Sequence, residues 1–254
     1  MKFDPVETNA WQGLKKFTQA RIALGRAGDS LPTQAVLDFG LAHAQARDAV
    51  HVPMDIDQIE TDLEKAGFSA IHVQSEAKDR KEYLVRPDRG RKLDQTSRHL
   101  LLANQLQEPI DAVFVIADGL SAFAPGRHAV PFLRVIRDRL QGWRIAPVVI
   151  ARQSRVALGD EIGEILGAQM VIMLIGERPG LSSPDSLGIY LTYSPRVGRS
   201  DAERNCISNV RPGGLDFEVA AFKLHYLMDN ARRLKLSGVD LKDDSDLTRI
   251  DHKS

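Results

Sequence analysis

The sequence predicts an α/β protein in which a mainly helical N-terminal region precedes a Rossmann-like, doubly wound and mostly parallel sheet. Three apolar runs without polar alternation, typical of strands buried on both faces, lie at 112–117, 145–151 and 170–175. Helical patterns separate these runs, which favours parallel strands joined by helices. The chain is therefore expected to contain a helical region at 1–108, a Rossmann-like domain at 109–238 and a flexible tail at 239–254.

The first hundred residues have helical spacing that is interrupted by glycine and proline. Apolar residues recur at nearly the helical period from Trp11 to Leu24, and Pro32 suits the first turn of a second helix. Asp55 is a suitable N-cap for a third helix, and Asp88 or Asp94 for a fourth. The predicted elements are helices at 11–24, 32–50, 56–66 and about 95–107, with a short strand at 70–74.

The segment 76–94 is rich in charges of both signs, which is typical of a solvated surface. Its turn from Arg86 to Arg91, with the sequence RPDRGR, has an alternative interpretation. Three arginines in a short turn can dock a partner subunit or meet a phosphate group.

The pattern changes after Asp111, where buried-type strands begin to alternate with helices. Pro147 favours the beginning of the second strand, and Gly167 the end of the helix that follows it. The predicted elements are strands at 112–117, 145–151, 170–175 and 187–193, with helices at 130–140, 161–166 and 218–236.

Composition limits the classes of function. Lys plus Arg and Asp plus Glu both total 34, so net charge gives no argument for a nucleic-acid or membrane partner. No apolar run approaches the roughly 20 residues of a membrane span, and the start has no signal-peptide pattern, so a cytoplasmic protein is expected. Cys206 is the single cysteine, which excludes an internal disulfide, and the seven histidines show no metal-ligand spacing. Standard nucleotide-binding, zinc-protease and hydrolase motifs are absent.

Polar loops follow each predicted strand of the second half. If the strands are parallel, these loops meet at the edge of the sheet where such folds bind cofactors. Glu177 and Arg178 either belong to that site or form a solvated pair, and Asp118 either acts in the site or caps its loop. Cys206 is expected to be an inert packing residue, although Arg204 could lower its pKa. The converging loops are 118–121, 152–156, 177–180, 194–196, 205–209 and 211–214.

Several of these loops also resemble one known family. The chain is similar to the small (light) subunit of ethanolamine ammonia-lyase, an adenosylcobalamin-dependent enzyme, over nearly its whole length. Several unrelated motifs in the same order make the resemblance specific. They are LGRAG at 24–28, YLVRPDRGRKL at 83–93, ADGLS at 117–121, DEIGEILGA at 160–168, GERPGL at 176–181, YSPR at 193–196, CISN at 206–209 and RPGG at 211–214.

The resemblance implies a role and three site residues. This chain would cover adenosylcobalamin at the interface with a barrel-shaped large subunit, which binds ethanolamine and performs the radical chemistry. The cofactor-contacting valine, glutamate and cysteine of the family fall on Val156, Glu177 and Cys206. No catalytic residue and no protein metal ligand is implied in this chain, because the corrin carries the cobalt.

Further expectations concern docking, location and alternative functions. The region 1–108 is expected to dock the large subunit, and the location is expected to be cytoplasmic, with a bacterial microcompartment as an option. The alternative function is a free-standing α/β nucleotide- or cofactor-binding module without radical chemistry. A purely structural subunit is a third possibility.

Overall fold

A computed structural model describes residues 6–246 of the chain as one mixed sheet with helices on both faces. Short 3₁₀ segments occur at Ala10–Phe17, Arg89–Arg91, Asp201–Glu203 and Gly238–Asp240. The strands are β1 (Ala70–Gln74), β2 (Ile110–Ala117), β3 (Val148–Arg152), β4 (Ala168–Gly176), β5 (Leu187–Tyr193) and β6 (Arg204–Val210). The helices are α1 (Thr33–His51), α2 (Ile56–Lys65), α3 (Arg80–Val85), α4 (Gln95–Ala103), α5 (Phe123–Arg137), α6 (Leu158–Leu166) and α7 (Phe217–Leu234).

The sheet has the strand order β1-β3-β2-β4-β5-β6. The first four strands in this order are parallel, whereas β5 is antiparallel to both β4 and β6. The connection from β4 to β5 contains no helix, so the chain turns back beside β4 instead of crossing over. The predicted α/β class is confirmed, and the parallel direction expected for the strand at 187–193 is wrong.

Two apolar layers hold the helices against the sheet. One face packs α2, α5 and α7 against side chains such as Phe114 and Ile172. The other face packs α4 and α6 against the alternate positions, such as Val113 and Val171. Strands buried on both sides explain why β2 and β4 read as unbroken apolar runs.

The predicted caps are confirmed at three helix ends. The Asp55 carboxylate accepts a hydrogen bond from Gln58 N at 3.1 Å, and Asp94 accepts one from Ser97 N at 2.7 Å. Gly167 ends α6 with φ 68°, a left-handed conformation that favours glycine. Helix α5 begins at Phe123, before the predicted start, because its early prolines and glycine obscured the helical period.

The N-terminal region differs most from expectation. The predicted helix at 11–24 is only a 3₁₀ segment, Ala10–Phe17, and none of its residues is buried. In the longer α1, only Ala42 and Ala49 are buried. An amphipathic pattern needs a surface to pack against, and the described residues offer little here.

Strand β1 and the C-terminal segment 239–246 both pack against the body of the protein. Strand β1 lies within the segment 1–108 and pairs with β3. Leu241 is buried, and Lys223 lies 3.3 Å from Asp243, so residues 239–246 pack against the body of the protein. The rest of the predicted flexible tail, 247–254, lies outside the described residues.

Candidate functional site

The loops after β2, β3 and β4 meet at the carboxyl edge of the sheet. Two glycines allow them to approach closely. A Cβ atom on Gly119, whose φ is +56°, would lie 2.2 Å from Gly176 O, and one on Gly176 would lie 1.9 Å from Ser121 O. The contacted atoms are backbone oxygens, which cannot move away without disrupting the loops, so both positions require glycine.

These loops border a cleft of about 430 Å³, here called the Glu177 cleft. Its volume is within the range of small-molecule sites, roughly 300–1,000 Å³. The residues that line it are Tyr83, Gly119, Leu120, Arg155, Val156, Ile175, Gly176, Glu177, Arg178 and Tyr190. Val156 and Glu177 thus line one surface, together with apolar, aromatic and arginine side chains.

Glu177 is held by the strands that follow it. Its Oε2 accepts hydrogen bonds from the Ser186 hydroxyl and from Asn209 N, the latter at 3.2 Å. Its Oε1 faces Gly188, where an added Cβ would lie 3.1 Å away. Arg178 is exposed and has no side-chain partner among residues 6–246. The two residues therefore do not form the solvated pair that the sequence allowed.

Asp118 organises the wall of the cleft. The carboxylate is buried and accepts hydrogen bonds from the backbone N–H groups of Gly119, Gln153 and Ser154 at 2.8–2.9 Å. Arg80 lies 3.7 Å from it and donates to Gly119 O at 2.8 Å and Leu120 O at 3.2 Å. Burial raises the pKa of the Asp118 carboxyl, and these donors act in the opposite direction. This geometry supports the loop-capping interpretation of Asp118.

Cys206 lies beside the cleft on β6, not in a loop. It is exposed and pairs in register with Tyr190 of β5, which lines the cleft. Partial desolvation raises the pKa of the Cys206 thiol, whereas a hydrogen bond from the Tyr190 hydroxyl lowers it. Arg204 does not act on the thiol, because its guanidinium is buried against Asp160 at 2.6 Å.

Two predicted loops lie elsewhere. Ser194–Arg196 follows the antiparallel β5 and so lies at the amino edge, away from the cleft. Asn205–Asn209 forms most of β6 and crosses the sheet toward the carboxyl edge. Only the end of that segment, at Asn209, reaches Glu177.

Comparisons with known proteins identify relatives over almost the full length. A family model described as ethanolamine ammonia-lyase light chain matches residues 8–242. The small subunit from Azotobacter vinelandii is 53% identical over 251 residues, which is 97% of this chain and 93% of the relative. The small subunit from Ralstonia nicotianae is 53% identical, over 97% of this chain and 93% of the relative. The small subunit from Pseudomonas fluorescens strain Pf0-1 is 52% identical, over 100% of this chain and 94% of the relative.

The chain belongs to the ethanolamine ammonia-lyase light-chain family. The resemblance seen in the sequence is thereby confirmed. A small subunit of this family implies a large-subunit partner and participation in a lyase. No helix among residues 6–246 is long and apolar enough to cross a membrane, and the same residues contain no cluster of metal-binding side chains.

Two aromatic residues that line the Glu177 cleft, Tyr190 and Tyr83, were not predicted from the sequence. Tyr190 was hidden inside a predicted strand, although period-2 alternation places it on the same face as Gly188. Tyr83 is buried between the guanidinium groups of Arg80 and Arg155, which lie 4.6 and 4.3 Å from its ring centroid. Arg80 lies one helical turn before Tyr83 in α3, but Arg155 belongs to a distant loop, so the local sequence does not predict the stacking of both arginines on this ring.

Proposed function

We propose that this chain is the small subunit of an adenosylcobalamin-dependent ethanolamine ammonia-lyase, which converts ethanolamine to acetaldehyde and ammonia. It covers the cofactor at the interface with the catalytic large subunit and is active only in that complex. Membership of the light-chain family is the observation on which this proposal depends.

The chemistry of the Glu177 cleft fits part of a cobalamin. Val156, Ile175 and Tyr190 offer an apolar surface for the ring, and Glu177 Oε1 can accept a hydrogen bond from a peripheral amide. The exposed Cys206 extends this surface onto β6. A cobalamin is larger than this cleft, so the cleft would hold one edge of it and leave the rest for the partner subunit.

The chain's own residues bind and shield rather than react. Bound adenosylcobalamin supplies radical chemistry through its cobalt–carbon bond. Val156 and Tyr190 exclude water from the ring edge, and Glu177 fixes its orientation. No residue of this chain is assigned a catalytic role, and ethanolamine is bound mainly by the large subunit.

The division of the chain follows the same scheme. Residues 1–108 dock the large subunit, and residues 109–238 supply most of the cofactor-binding surface, to which Tyr83 is added from the first region. The exposed apolar side chains of the N-terminal segment support docking. Arg21 Nη2 donates to Leu181 O at 3.2 Å, so this segment lies beside the loop that follows Glu177.

Reconstitution tests the division of labour. We expect the isolated chain to release no acetaldehyde from ethanolamine when adenosylcobalamin is added, because it lacks the substrate-binding subunit. Addition of the large subunit should produce acetaldehyde, and the assembled complex should retain the visible spectrum of cobalamin after gel filtration. Turnover by the isolated chain would contradict the proposal, as would an active large subunit that gains nothing from this chain.

Glu177→Gln tests the role of the carboxylate. In the variant, the amide oxygen takes the place of Oε2, to which Asn209 N donates, and the amide nitrogen takes the place of Oε1. A cobalamin amide then has no acceptor at a dry surface, which costs about 1–3 kcal/mol, or about 5- to 150-fold in affinity. Spectroscopic titration of the assembled complex measures this loss. Ser186→Ala is the matched control, since it removes a partner of Glu177 but leaves Oε1 intact. Equal affinities for wild type and Glu177→Gln would remove Glu177 from the site.

A further inference from the structure

A second, smaller cleft adjoins the Glu177 cleft. It has a volume of about 250 Å³ and is here called the Arg91 cleft. Arg155 and Val156 line both clefts, so the two adjoin at the loop between β3 and α6. The lining residues are Arg91, Arg155, Val156, Ala157, Arg199, Ser200 and Asp201.

Two of the three arginines in the Arg91 cleft have no carboxylate partner among residues 6–246. Arg199 is paired with Glu203, and Arg204 Nε lies 3.4 Å from the exposed Asp201. The side chain of Arg91 has no hydrogen bond or ion pair. The cleft therefore retains positive charge, and Asp201 is the one acidic residue in its lining.

Arg155 has unused hydrogen-bonding capacity. Its Nη2 donates to Tyr83 O at 3.3 Å, and its Nε is buried without a partner. The buried Nε is out of reach of a ligand, but Nη1 is accessible and has no hydrogen-bond partner among residues 6–246. Nη1 can therefore donate to an acceptor from outside the chain.

The position of Arg155 is fixed before any ligand arrives. Its guanidinium stacks on the Tyr83 ring at 4.3 Å, and its backbone N–H donates to Gly90 O at 2.8 Å. The Tyr83 hydroxyl in turn donates to Ser154 O at 3.2 Å. A guanidinium held in this way loses little conformational entropy on binding, which favours an oxyanion that offers two acceptor oxygens to its planar fork.

We propose that Arg155, assisted by Arg91, binds the phosphodiester in the nucleotide arm of the cobalamin. The Arg91 cleft receives that arm, and the Glu177 cleft receives the edge of the ring. This inference rests on the proposed function and assigns one group of the cofactor to one pair of side chains. Of the two interpretations that the sequence left for the turn 86–91, it favours the phosphate.

The test compares two ligands that differ in the nucleotide arm. Hydroxocobalamin has the arm and its phosphodiester, whereas cobinamide lacks both. Each is titrated into the assembled complex of this chain with the large subunit, and visible absorbance reports binding. We expect Arg155→Met to weaken hydroxocobalamin about 10- to 100-fold, the worth of a charged hydrogen-bonded contact, and to leave cobinamide within about twofold.

Two further variants keep the test independent of folding. Arg155→Lys retains the charge without the planar fork, so it should weaken hydroxocobalamin less than Arg155→Met does. Arg137→Met is the matched control. Arg137 also stacks on an aromatic ring, Phe68, and donates to a backbone carbonyl, Ala66 O, but at the opposite edge of the sheet. It should leave both affinities unchanged.

The outcomes separate this assignment from the proposed function. Equal weakening of both ligands by Arg155→Met would overturn the phosphodiester assignment and leave Arg155 as a ring contact or a support for Tyr83. Unchanged affinity for both ligands would also overturn it. A wild-type complex that binds neither ligand would overturn the proposed function itself. Inorganic phosphate should compete with hydroxocobalamin but not with cobinamide, and competition with both would contradict the assignment.

Discussion

Tyr190 sets the chemical environment of the single thiol. Its hydroxyl acts to lower the pKa of the Cys206 thiol, and its ring forms a wall of the Glu177 cleft. The Cys206 pKa is raised by desolvation and by the nearby Glu177 charge, and Tyr190 is the group that opposes them. Sequence reasoning found Glu177 and Cys206 through their motifs, but their link through Tyr190 depends on the register of β5 and β6. Register between distant strands is not encoded in local spacing.

Tyr190→Phe should slow labelling of Cys206 by a thiol reagent. Without the hydroxyl donor the thiolate is less stable and the thiol pKa rises further, so less thiolate is present at a fixed pH below that pKa. We expect labelling about 2- to 10-fold slower, which corresponds to one net hydrogen bond of about 0.5–1.5 kcal/mol. The difference should vanish at high pH, where both thiols are ionised. Tyr193→Phe, on the same strand but the opposite face, is the control, and faster labelling of Tyr190→Phe would contradict the assignment.

At the scale of elements, buried strands were predictable and their directions were not. Strands β2 and β4 were recognisable as apolar runs because helices cover both faces of the sheet at these strands. Strand β6 was missed because Cys206, Ser208 and Asn209 are exposed, so its sequence looks like a polar loop. The direction of β5 depends on a connection without a helix, which is a tertiary property. Three converging loops, after β2, β3 and β4, were enough to locate the cleft.

Two glycine substitutions should separate folding of this edge from binding at it. Gly176→Ala places a Cβ against the backbone of Ser121 and Asp118, so it should destabilise the fold by about 1–3 kcal/mol or more. Gly188→Ala meets only the side chains of Glu177 and Tyr190 at 3.1 Å, which can shift. It should therefore lower cobalamin affinity while the chemical denaturation midpoint stays nearly constant. A denaturation series on the isolated chain and a cobalamin titration of the complex measure the two effects. The reverse ranking would show that the edge is more plastic than its packing implies.

At the scale of the whole molecule, the N-terminal segment and the cleft are mechanically joined. Arg80 Nε donates to Val50 O, near the end of α1, and its other nitrogens donate to Gly119 O and Leu120 O in the cleft wall. Ala122 N also donates to Ala49 O at 3.1 Å. A partner that binds α1 would therefore contact a helix that is hydrogen-bonded directly to the wall of the Glu177 cleft. This connection gives a physical reason for the two proposed roles to occur in one chain.

The apolar surface of the N-terminal segment leads to the last prediction. Trp11, Phe17 and Leu37 are 66%, 76% and 61% exposed. Large apolar side chains exposed in one segment are typical of a surface that binds another protein. If the large subunit covers them, Phe17→Asp and Leu37→Asp should each weaken association with it by about 1 kcal/mol or more. Because both residues are exposed, each variant should change the stability of the isolated chain by only about 0.5 kcal/mol. Co-purification with the large subunit and thermal unfolding of the chain measure these two quantities. Leu234→Asp is the control, because Leu234 is also exposed but ends α7 at the amino edge of the sheet. Association that falls equally with Leu234→Asp, or that survives both N-terminal variants, would move the docking surface away from this segment.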